Sequence, residues 1–367
     1  MKKKIKVLIV DDSAVVRKII STTLGKHEDI EVVGTAPDPF IARNKILSLK
    51  PDVLTLDVEM PRMDGLTFLK KLMTYCPIPT IMVSSLTQEG CDATLKALEA
   101  GAIDYVAKPT GRHSSDVKDV LDELYTKVKI ASRAKVKRND KEHTTKQTPS
   151  PSISHVKKPI EHDYTLFKGT HKIIAIGAST GGTEALKEVL IRMPPDSPAI
   201  VIVQHMPELF TSAFAQRLDS ICSVTVKEGK NGDSLTQGQA IIAPGNYHIR
   251  LRRSGAMYHI ETNQESPVHY QRPSVDVLFD TVAKYAGENA IGVIMTGMGS
   301  DGATGLLKMK EAGAKTIAQD EDSCVVFGMP KEAIKLGAVD KIAPLQKIPE
   351  SIFAFVNDSH TKKTNQD

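Results

Sequence analysis

The chain has 367 residues, of which 41% are hydrophobic and 25% are charged, and its formal net charge is +4 at pH 7. These values are typical of a soluble globular protein with two or three domains, and no apolar stretch approaches the roughly 20 residues of a membrane span. The cysteines form no C-x-x-C pair, which argues against a zinc site or disulfides and favours a reducing cytoplasm. They are Cys76, Cys91, Cys222 and Cys324.

The amino-terminal segment is basic, but the apolar run after it ends at Asp11 and Asp12. That run is too short for an export signal, so we expect a cytoplasmic protein without a membrane segment. Basic residues far outnumber acidic ones between Lys127 and Lys172. Because this excess lies in a connecting segment, it does not indicate a nucleic-acid-binding face.

Five apolar strand patterns alternate with five helical patterns in residues 1–130, which predicts a first domain with a doubly wound parallel sheet. In such sheets, functional groups gather at the carboxyl ends of the strands. The predicted strands are Lys6–Val10, Ile30–Ala36, Val53–Val58, Thr80–Ser84 and Ile103–Ala107. The predicted helices are Ser13–Leu24, Asp38–Leu49, Leu66–Met73, Thr87–Ala100 and Ser115 to about Arg133.

Residues 131–168 have the composition of a flexible linker, rich in Lys, Thr, Ser and Pro and poor in apolar residues. A second α/β alternation predicts a domain at 169–357, followed by a hydrophilic tail at 358–367. The fold class is therefore α/β, with two doubly wound parallel-sheet domains joined by a flexible linker. Predicted strands of the second domain include Ile173–Ile176, Ala199–Val203, Gln239–Ile242 and Ile291–Met295.

Five polar side chains follow strands of the first domain and are predicted to converge at one edge of its sheet. They are Asp11, Asp12, Asp57, Ser84 and Lys108. Three carboxylates repel one another unless a cation neutralises them, and hard oxygen ligands suit Mg²⁺. Lys108 and the Ser84 hydroxyl would then bind a phosphoryl group, with Asp57 as its nucleophilic acceptor. Singly, each residue has a simpler interpretation, since Asp11 could cap the helix that begins near Ser13, Asp57 could cap a turn, and Lys108 could be a solvated loop residue.

At these positions the sequence resembles the response-regulator receiver domain over about residues 6–129. The resemblance implies phosphorylation of Asp57 by a histidine kinase. It also implies Mg²⁺ bound by Asp12, Asp57 and the Glu59 backbone carbonyl, with Asp11 assisting, and a Tyr105 rotamer that follows the Ser84 contact. The matching segments are Val10-Asp11-Asp12-Ser13, Leu56-Asp57-Val58-Glu59-Met60-Pro61, Met82-Val83-Ser84-Ser85 and Tyr105-Val106-Ala107-Lys108-Pro109.

The second domain begins with a strand that ends in Gly177-Ala178-Ser179-Thr180-Gly181, a G-x-S-x-G turn before a helical pattern. Such a turn exposes a nucleophilic serine, but glycine-rich turns also bind phosphates. His205 and Asp301 follow two other apolar strands and would complete a Ser-His-Asp triad, with the Met298 amide donating to an oxyanion. On spacing alone, His205 could equally be a packing residue and Asp301 part of a turn. The order Ser, His, Asp differs from that of α/β-hydrolases, so their fold is not implied.

The second domain resembles the chemotaxis protein-glutamate methylesterase (CheB) family, and with the receiver the resemblance spans nearly the whole chain. It implies the triad Ser179, His205 and Asp301, oxyanion donation by Met298, and a Thr180 that orients His205. His248 and Arg272 would line the cleft. The matching segments are Gly177-Ala178-Ser179-Thr180-Gly181-Gly182, Gln204-His205-Met206, Ala243-Pro244-Gly245-Asn246-Tyr247-His248, Pro273-Ser274-Val275-Asp276 and Thr296-Gly297-Met298-Gly299-Ser300-Asp301-Gly302.

The family resemblance also implies an activity and its partners. The enzyme would demethylate glutamate γ-methyl esters on chemotaxis receptors, deamidate receptor glutamines, and need no cofactor for the ester reaction. The partners would be the methyl-accepting receptors at the membrane surface and the chemotaxis histidine kinase as phosphodonor, with no nucleic acid. The unphosphorylated receiver is expected to pack over the Ser179 cleft.

The sequence disfavours two other classes of output domain. A nucleic-acid-binding output is disfavoured because the second half shows no helix-turn-helix pattern. A nucleotide-binding output that uses the turn around Ser179 is disfavoured because Thr180-Gly181-Gly182-Thr183 lacks the lysine of a phosphate-binding loop.

Overall fold

The computed structural model describes residues 3–363 except 86, 110–113, 135 and 137–171. The predicted linker at 131–168 therefore lies almost wholly outside the described residues. Within the described part, the chain forms two parallel-sheet α/β domains, as the sequence predicted.

The amino-terminal domain is a five-stranded sheet with the order β2-β1-β3-β4-β5, and all its pairings are parallel. This is the flavodoxin-like order of doubly wound sheets. The observed elements match the predicted ones to within about two residues at each end, and β2 and β4 coincide with their predictions. They are β1 (Ile5–Val10), α1 (Ala14–Leu24), β2 (Ile30–Ala36), α2 (Pro39–Leu49), β3 (Val53–Asp57), α3 (Gly65–Tyr75), β4 (Thr80–Ser84), α4 (Gln88–Glu99), β5 (Asp104–Ala107) and α5 (Ser114–Ala131).

Local sequence explains where these helices begin. Ser13, Asp38, Asp64 and Thr87 occupy the N-cap positions of α1 to α4, and each side chain accepts a hydrogen bond from an amide of the first turn. Such caps satisfy amides that have no partner within the helix. The central strands β3 and β4 are buried at every position, so helices on both faces cover an apolar sheet.

The carboxy-terminal domain has a seven-stranded parallel sheet with the order β14-β13-β12-β6-β7-β9-β8. An antiparallel hairpin of β10 and β11, which the sequence analysis did not predict, packs beside α8. The elements are β6 (Ile173–Ala178), α6 (Gly182–Leu190), β7 (Ala199–Gln204), α7 (Phe210–Asp219), β8 (Thr225–Glu228), β9 (Gln239–Ile242), β10 (His248–Ser254), β11 (Met257–Asn263), α8 (Val275–Tyr285), β12 (Ala290–Ile294), α9 (Ala303–Glu311), β13 (Lys315–Gln319), α10 (Met329–Lys335), β14 (Lys341–Ala343) and α11 (Ile348–Lys363).

The strand order reverses around β6. From β6 the chain proceeds to β7 on one side, whereas β12, β13 and β14 extend the sheet on the other side. Loops that leave a sheet at such a switch point diverge and open a crevice at the carboxyl ends of the strands. The loops after β6, β7 and β12 are those that carry Ser179, His205 and Asp301.

The carboxy-terminal helix differs from the prediction of a tail at 358–367, because α11 continues to Lys363. Among the described residues, no helix combines the length and the apolar character that a membrane crossing needs.

Candidate active site and phosphorylation site

Ser179 occupies a tight turn directly after β6. Its amide donates to the Thr296 carbonyl (3.0 Å), and its carbonyl accepts from the Gly182 amide (2.7 Å) and from the side chain of Gln204 (2.9 Å). Gly181 has φ 76° and begins α6, and a Cβ at this position would lie 2.7 Å from Val325. The glycine therefore permits the sharp turn from strand to helix that presents the Ser179 side chain.

His205 and Asp301 meet beside this turn. The His205 amide donates to the carbonyl of Ala178 (3.1 Å), which fixes the residue next to the serine, and its Nε2 lies 2.8 Å from Asp301 Oδ2. Among the described hydrogen bonds, none joins the Ser179 hydroxyl to His205. Because Nε2 faces Asp301, Nδ1 is the ring nitrogen that is left for the serine.

Asp301 lies in the loop after β12 and is buried against the first residues of α8. Its carboxylate accepts from the Ser274 hydroxyl (2.7 Å), the Val275 amide (2.8 Å) and the Asp276 amide (3.0 Å). Burial raises the pKa of Asp301, but the hydrogen bonds from His205 and these amides outweigh it, so the pKa lies below its ordinary value. The carboxylate of Asp301 thus fixes the orientation of the His205 ring.

The loop after β12 passes close to the serine. A Cβ at Gly297 would lie 2.7 Å from the Ser179 Cβ, so only glycine allows this approach. Among the described hydrogen bonds, the Met298 amide has no acceptor. An available amide one residue from this contact is what an oxyanion donor requires.

Three carboxylates gather at the carboxyl edge of the amino-terminal sheet. Oxygens of Asp11, Asp12 and Asp57 lie within 4.8 Å of one another, and Lys108 Nζ lies 2.8 Å from Asp57 Oδ2. Burial and the neighbouring Asp11 raise the pKa of Asp57 to about 6, although Lys108 opposes the shift. Asp11 Oδ1 accepts from the amide (2.8 Å) of Ser13, the residue that caps α1, but the buried Oδ2 of Asp11 has no partner among the described residues. An unpartnered buried oxygen and a crowded carboxylate fit a divalent cation.

The remaining predicted receiver residues surround this cluster. The Glu59 amide donates to Asp57 Oδ1 (3.1 Å), which keeps Glu59 beside the cluster, and its carboxylate accepts from the Ser85 hydroxyl (2.9 Å). The fully buried Ser84 donates to the carbonyl of Gly90 in the first turn of α4 (3.1 Å). In this arrangement the Ser84 hydroxyl is therefore bound to α4.

Comparisons with known proteins bear on both domains. A sequence model of the CheB methylesterase family matches residues 174–352, and one of the response regulator receiver domain matches residues 7–116. Protein-glutamate methylesterase/protein-glutamine glutaminase 2 of Syntrophus aciditrophicus is 58% identical over 353 residues, which cover 96% of this chain and 99% of that protein. The chain belongs to the protein-glutamate methylesterase/protein-glutamine glutaminase family.

A second relative of this family, from Geobacter metallireducens, is 54% identical over 352 residues and is covered at 96% in both chains. Among solved structures, the catalytic domain of the Thermotoga maritima CheB methylesterase is 40% identical, with a TM-score of 0.49. The aligned region covers 51% of this chain and 97% of the chain in that structure. The assignment rests on the full-length relatives, which include both the receiver and the methylesterase domain.

The receiver packs on the methylesterase domain through α4 and β5. The Tyr105 ring stacks on Phe210 of α7 with 4.4 Å between ring centroids. Glu99, at the end of α4, accepts from Lys187 Nζ (2.9 Å) and Arg217 Nε (2.8 Å). Burial raises the pKa of Glu99, but the two cations outweigh it and lower the pKa below its ordinary value. The interface therefore combines ion pairs of Glu99 with an aromatic contact of Tyr105.

Thr180, the residue after the serine, also contacts the receiver. Its hydroxyl donates to Asp104 Oδ2 (2.5 Å), and Asp104 Oδ1 accepts from Lys127 (3.0 Å). The predicted contact of Thr180 with His205 is not among the described hydrogen bonds. Val325, which touches the Gly181 turn, also packs against the apolar cluster of the receiver. The receiver thus contacts the turn that carries Ser179, through Thr180 and Val325.

His248 and Arg272, which were predicted to line the cleft, make hydrogen bonds to the segment before α8 and to the loop that precedes it. The buried His248 ring accepts from the Ser274 amide (3.3 Å), and its Nε2 lies 3.1 Å from the Ser266 carbonyl. Burial lowers its pKa. The Arg272 guanidinium donates to Asn246 and to carbonyls of the preceding loop. Both side chains hold the segment that leads into α8.

Sequence reasoning missed three functional contacts. Asp104 precedes the predicted switch Tyr105, but nothing in the sequence paired it with Thr180. Ser274 and Asp276 lie in a motif that was noted without a role, although a Ser at an N-cap position indicates a helix start. Their proximity to Asp301 depends on the packing of α8 against α9, which the sequence does not display.

Proposed function

We propose that this protein hydrolyses glutamate γ-methyl esters on chemotaxis receptors, releasing methanol, and deamidates receptor glutamines by the same acyl chemistry. The observation that carries the proposal is the convergence of Ser179, His205 and Asp301 after three adjacent strands, with His205 joined to Asp301 at 2.8 Å. The names of the full-length relatives supply the class of substrate.

The mechanism follows from the orientation of His205. Nδ1 accepts the Ser179 proton while the serine oxygen attacks the γ-carbonyl, and the Met298 amide binds the oxyanion. Methanol leaves with the proton that His205 returns to it. Water then attacks the acyl-enzyme, with His205 as the base, and the product is a glutamate carboxylate. Asp301 stays ionised throughout and stabilises the imidazolium.

The receiver would accept a phosphoryl group on Asp57 from a histidine kinase. Asp12, Asp57 and the Glu59 carbonyl would hold Mg²⁺, with Asp11 assisting. When bound, the ion neutralises the carboxylates and the phosphoryl oxygens. Lys108, now paired with Asp57, would pair with the phosphoryl group, and Ser84 would turn from the Gly90 carbonyl to donate to it.

Phosphorylation would open the methylesterase site. If Ser84 leaves α4, Tyr105 can repack away from Phe210, and the adjacent Asp104 can release Thr180. Thr180 is then free to orient His205. The enzyme would act from the cytoplasm at the membrane surface, where its receptor substrates lie, and it would bind no nucleic acid.

Methanol release from purified methylated receptor, with and without a small-molecule phosphodonor, tests the proposal. Ser179→Ala should lower the rate by roughly 10⁴-fold or more, because it removes the nucleophile. Ser254→Ala, an exposed serine of the same domain, is the matched control. Circular dichroism should show both variants folded. Methanol release by Ser179→Ala at the wild-type rate would overturn the assignment.

A further inference from the structure

The segment that leads into α8 contains a two-residue turn with an exposed tyrosine at its tip. Val268 and Gln271 exchange both of their backbone hydrogen bonds (3.0 and 2.9 Å), so His269 and Tyr270 form the two central residues of a hairpin turn. The Tyr270 side chain is 99% exposed. It therefore contacts neither the methylesterase core nor the receiver in this arrangement.

The backbone of the turn is strained for the residues that occupy it. His269 has φ 51° and Tyr270 has φ 62°, both in the left-handed region. Two-residue hairpins of this kind favour Asn-Gly, because a side chain with a Cβ disfavours positive φ. Since Tyr270 makes no packing contact with the described residues that would compensate, its presence is not explained by the stability of the described fold.

The turn is tied to the triad. His269 Nε2 lies 2.9 Å from Asp276 Oδ2, and Asp276 Oδ1 accepts from the Gly305 amide at the start of α9 (2.6 Å). The Asp276 amide in turn donates to Asp301 Oδ1 (3.0 Å). The side-chain ligand atoms of His269, Asp276 and Asp301 all lie within 4.8 Å of one another. Hydrogen bonds through His269 and Asp276 thus connect the turn to Asp301.

The other side of the same loop is also anchored. Arg272 donates to the carbonyls of Gln264 (3.1 Å) and Glu265 (3.0 Å) and to the side chain of Asn246. Anchors on both sides of Tyr270 mean that its ring is presented by a preorganised loop. Preorganisation lowers the entropy lost when a partner binds.

We propose that Tyr270 is a substrate-contact residue, which packs against the receptor segment that carries the esterified glutamate. The proposal rests on the proposed function. The receptor segment is favoured as the occupant because the turn is bonded through His269 to Asp276, whose amide also bonds Asp301. A polypeptide whose ester reaches Ser179 extends beyond the catalytic residues on either side of the ester. A tyrosine offers a large contact area with few rotatable bonds, and this residue type is enriched among those that dominate binding.

Three variants of the full chain, each treated with a phosphodonor, test this role. Tyr270→Asn removes the ring and places at positive φ a residue that tolerates it, so its thermal stability should equal or exceed that of the wild type. Tyr270→Phe keeps the ring. Met257→Ala removes another exposed apolar side chain of the same domain and is the control. The readouts are methanol release from methylated receptor and the rate of labelling by a fluorophosphonate.

For Tyr270→Asn, kcat/KM on methylated receptor should fall roughly tenfold, mainly through KM, while the labelling rate stays at the wild-type value. Tyr270→Phe and Met257→Ala should behave as the wild type. Unchanged kcat/KM in Tyr270→Asn, or an equal loss of labelling, would overturn the role of Tyr270 alone. A wild-type enzyme that releases no methanol would instead overturn the proposed function.

Discussion

Asp301 and Asp57 are both buried carboxyl groups, but their surroundings shift their pKa values in opposite directions. Burial raises the pKa of Asp301, yet His205 and two backbone amides outweigh it and lower the pKa. At Asp57, burial dominates, Asp11 adds to it, and Lys108 only partly compensates, so the pKa rises to about 6. The anion of Asp301 is thus favoured by its neighbours, whereas the anion of Asp57 is disfavoured and would be stabilised by a cation beside it.

Protons and Mg²⁺ should therefore compete for Asp57. A raised pKa means that the folded receiver favours the protonated Asp57 carboxyl group. The free energy of unfolding should therefore decrease as the pH rises through about 6, and bound Mg²⁺ should restore it. We expect the apparent Kd for Mg²⁺ to weaken about tenfold between pH 7 and pH 5. Titration calorimetry of the full chain measures this value.

In Asp57→Asn the dependence of Mg²⁺ affinity on pH should become markedly shallower, since the competing proton is absent. Asp52→Asn is a control, because this carboxylate lies before β3, outside the cluster. Equal Mg²⁺ affinity of the wild type at pH 5 and pH 7 would contradict the raised pKa.

At the scale of elements, the site depends on how closely the loop after β12 approaches the turn after β6. Gly297 permits this approach, because any Cβ there would meet Ser179 and Met329. The loop also positions Met298 and leads to Asp301. One missing side chain thus fixes the distance between the nucleophile and the loop that holds two of its predicted partners.

Gly297→Ala should therefore destabilise the protein by about 1–3 kcal/mol, because it overpacks a filled contact. Methanol release should fall more than stability alone explains, since the shift separates Ser179 from Met298. Gly255→Asn is the control, because a Cβ at that positive-φ glycine meets nothing and Asn tolerates the conformation. Denaturant unfolding and receptor demethylation measure the two effects, and wild-type values for Gly297→Ala would refute this account of the loop.

The sequence predicted most of these elements, because strands buried on both faces have apolar runs and helices α1 to α4 begin at capping residues. Residues 173–176 and 291–295 are such runs, and they lie close to the observed β6 and β12. The hairpin of β10 and β11 was missed because its apolar alternation is short: Ile249 and Leu251 are buried, but Arg253 ends the pattern. Spacing alone left the joining of His205 to Asp301 open, because spacing does not report how two loops meet, and it was predicted from the family resemblance.

At the scale of the whole molecule, the receiver contacts the methylesterase domain at Thr180, the residue after the proposed nucleophile Ser179. Asp104 accepts from Thr180 across the interface, while the neighbouring Tyr105 stacks on Phe210. No sequence pattern could reveal this pair, because 76 residues separate its members and the contact depends on how two folded domains dock. It joins the proposed switch to the proposed active site through adjacent residues of one strand.

Asp104→Ala should raise the basal rate of methanol release before any phosphodonor is added. A hydrogen bond to a charged group contributes about 1.5–3 kcal/mol, so an increase of roughly tenfold is expected if the bond restrains the closed form. The further increase on phosphorylation should shrink correspondingly. Asp122→Ala, an exposed carboxylate on α5, is the matched control. Identical basal rates in Asp104→Ala and the wild type would show that this contact does not restrain the enzyme.

The contact between Asp104 and Thr180 has a thermodynamic consequence in the reverse direction. If phosphate on Asp57 weakens the closed form and so tightens receptor binding, a bound receptor must favour the phosphorylated form by the same factor. The substrate would then act as an effector of its own enzyme's signalling state. Receptor arrays rich in methyl esters would retain the phosphorylated enzyme where it is needed, and demethylation would release it.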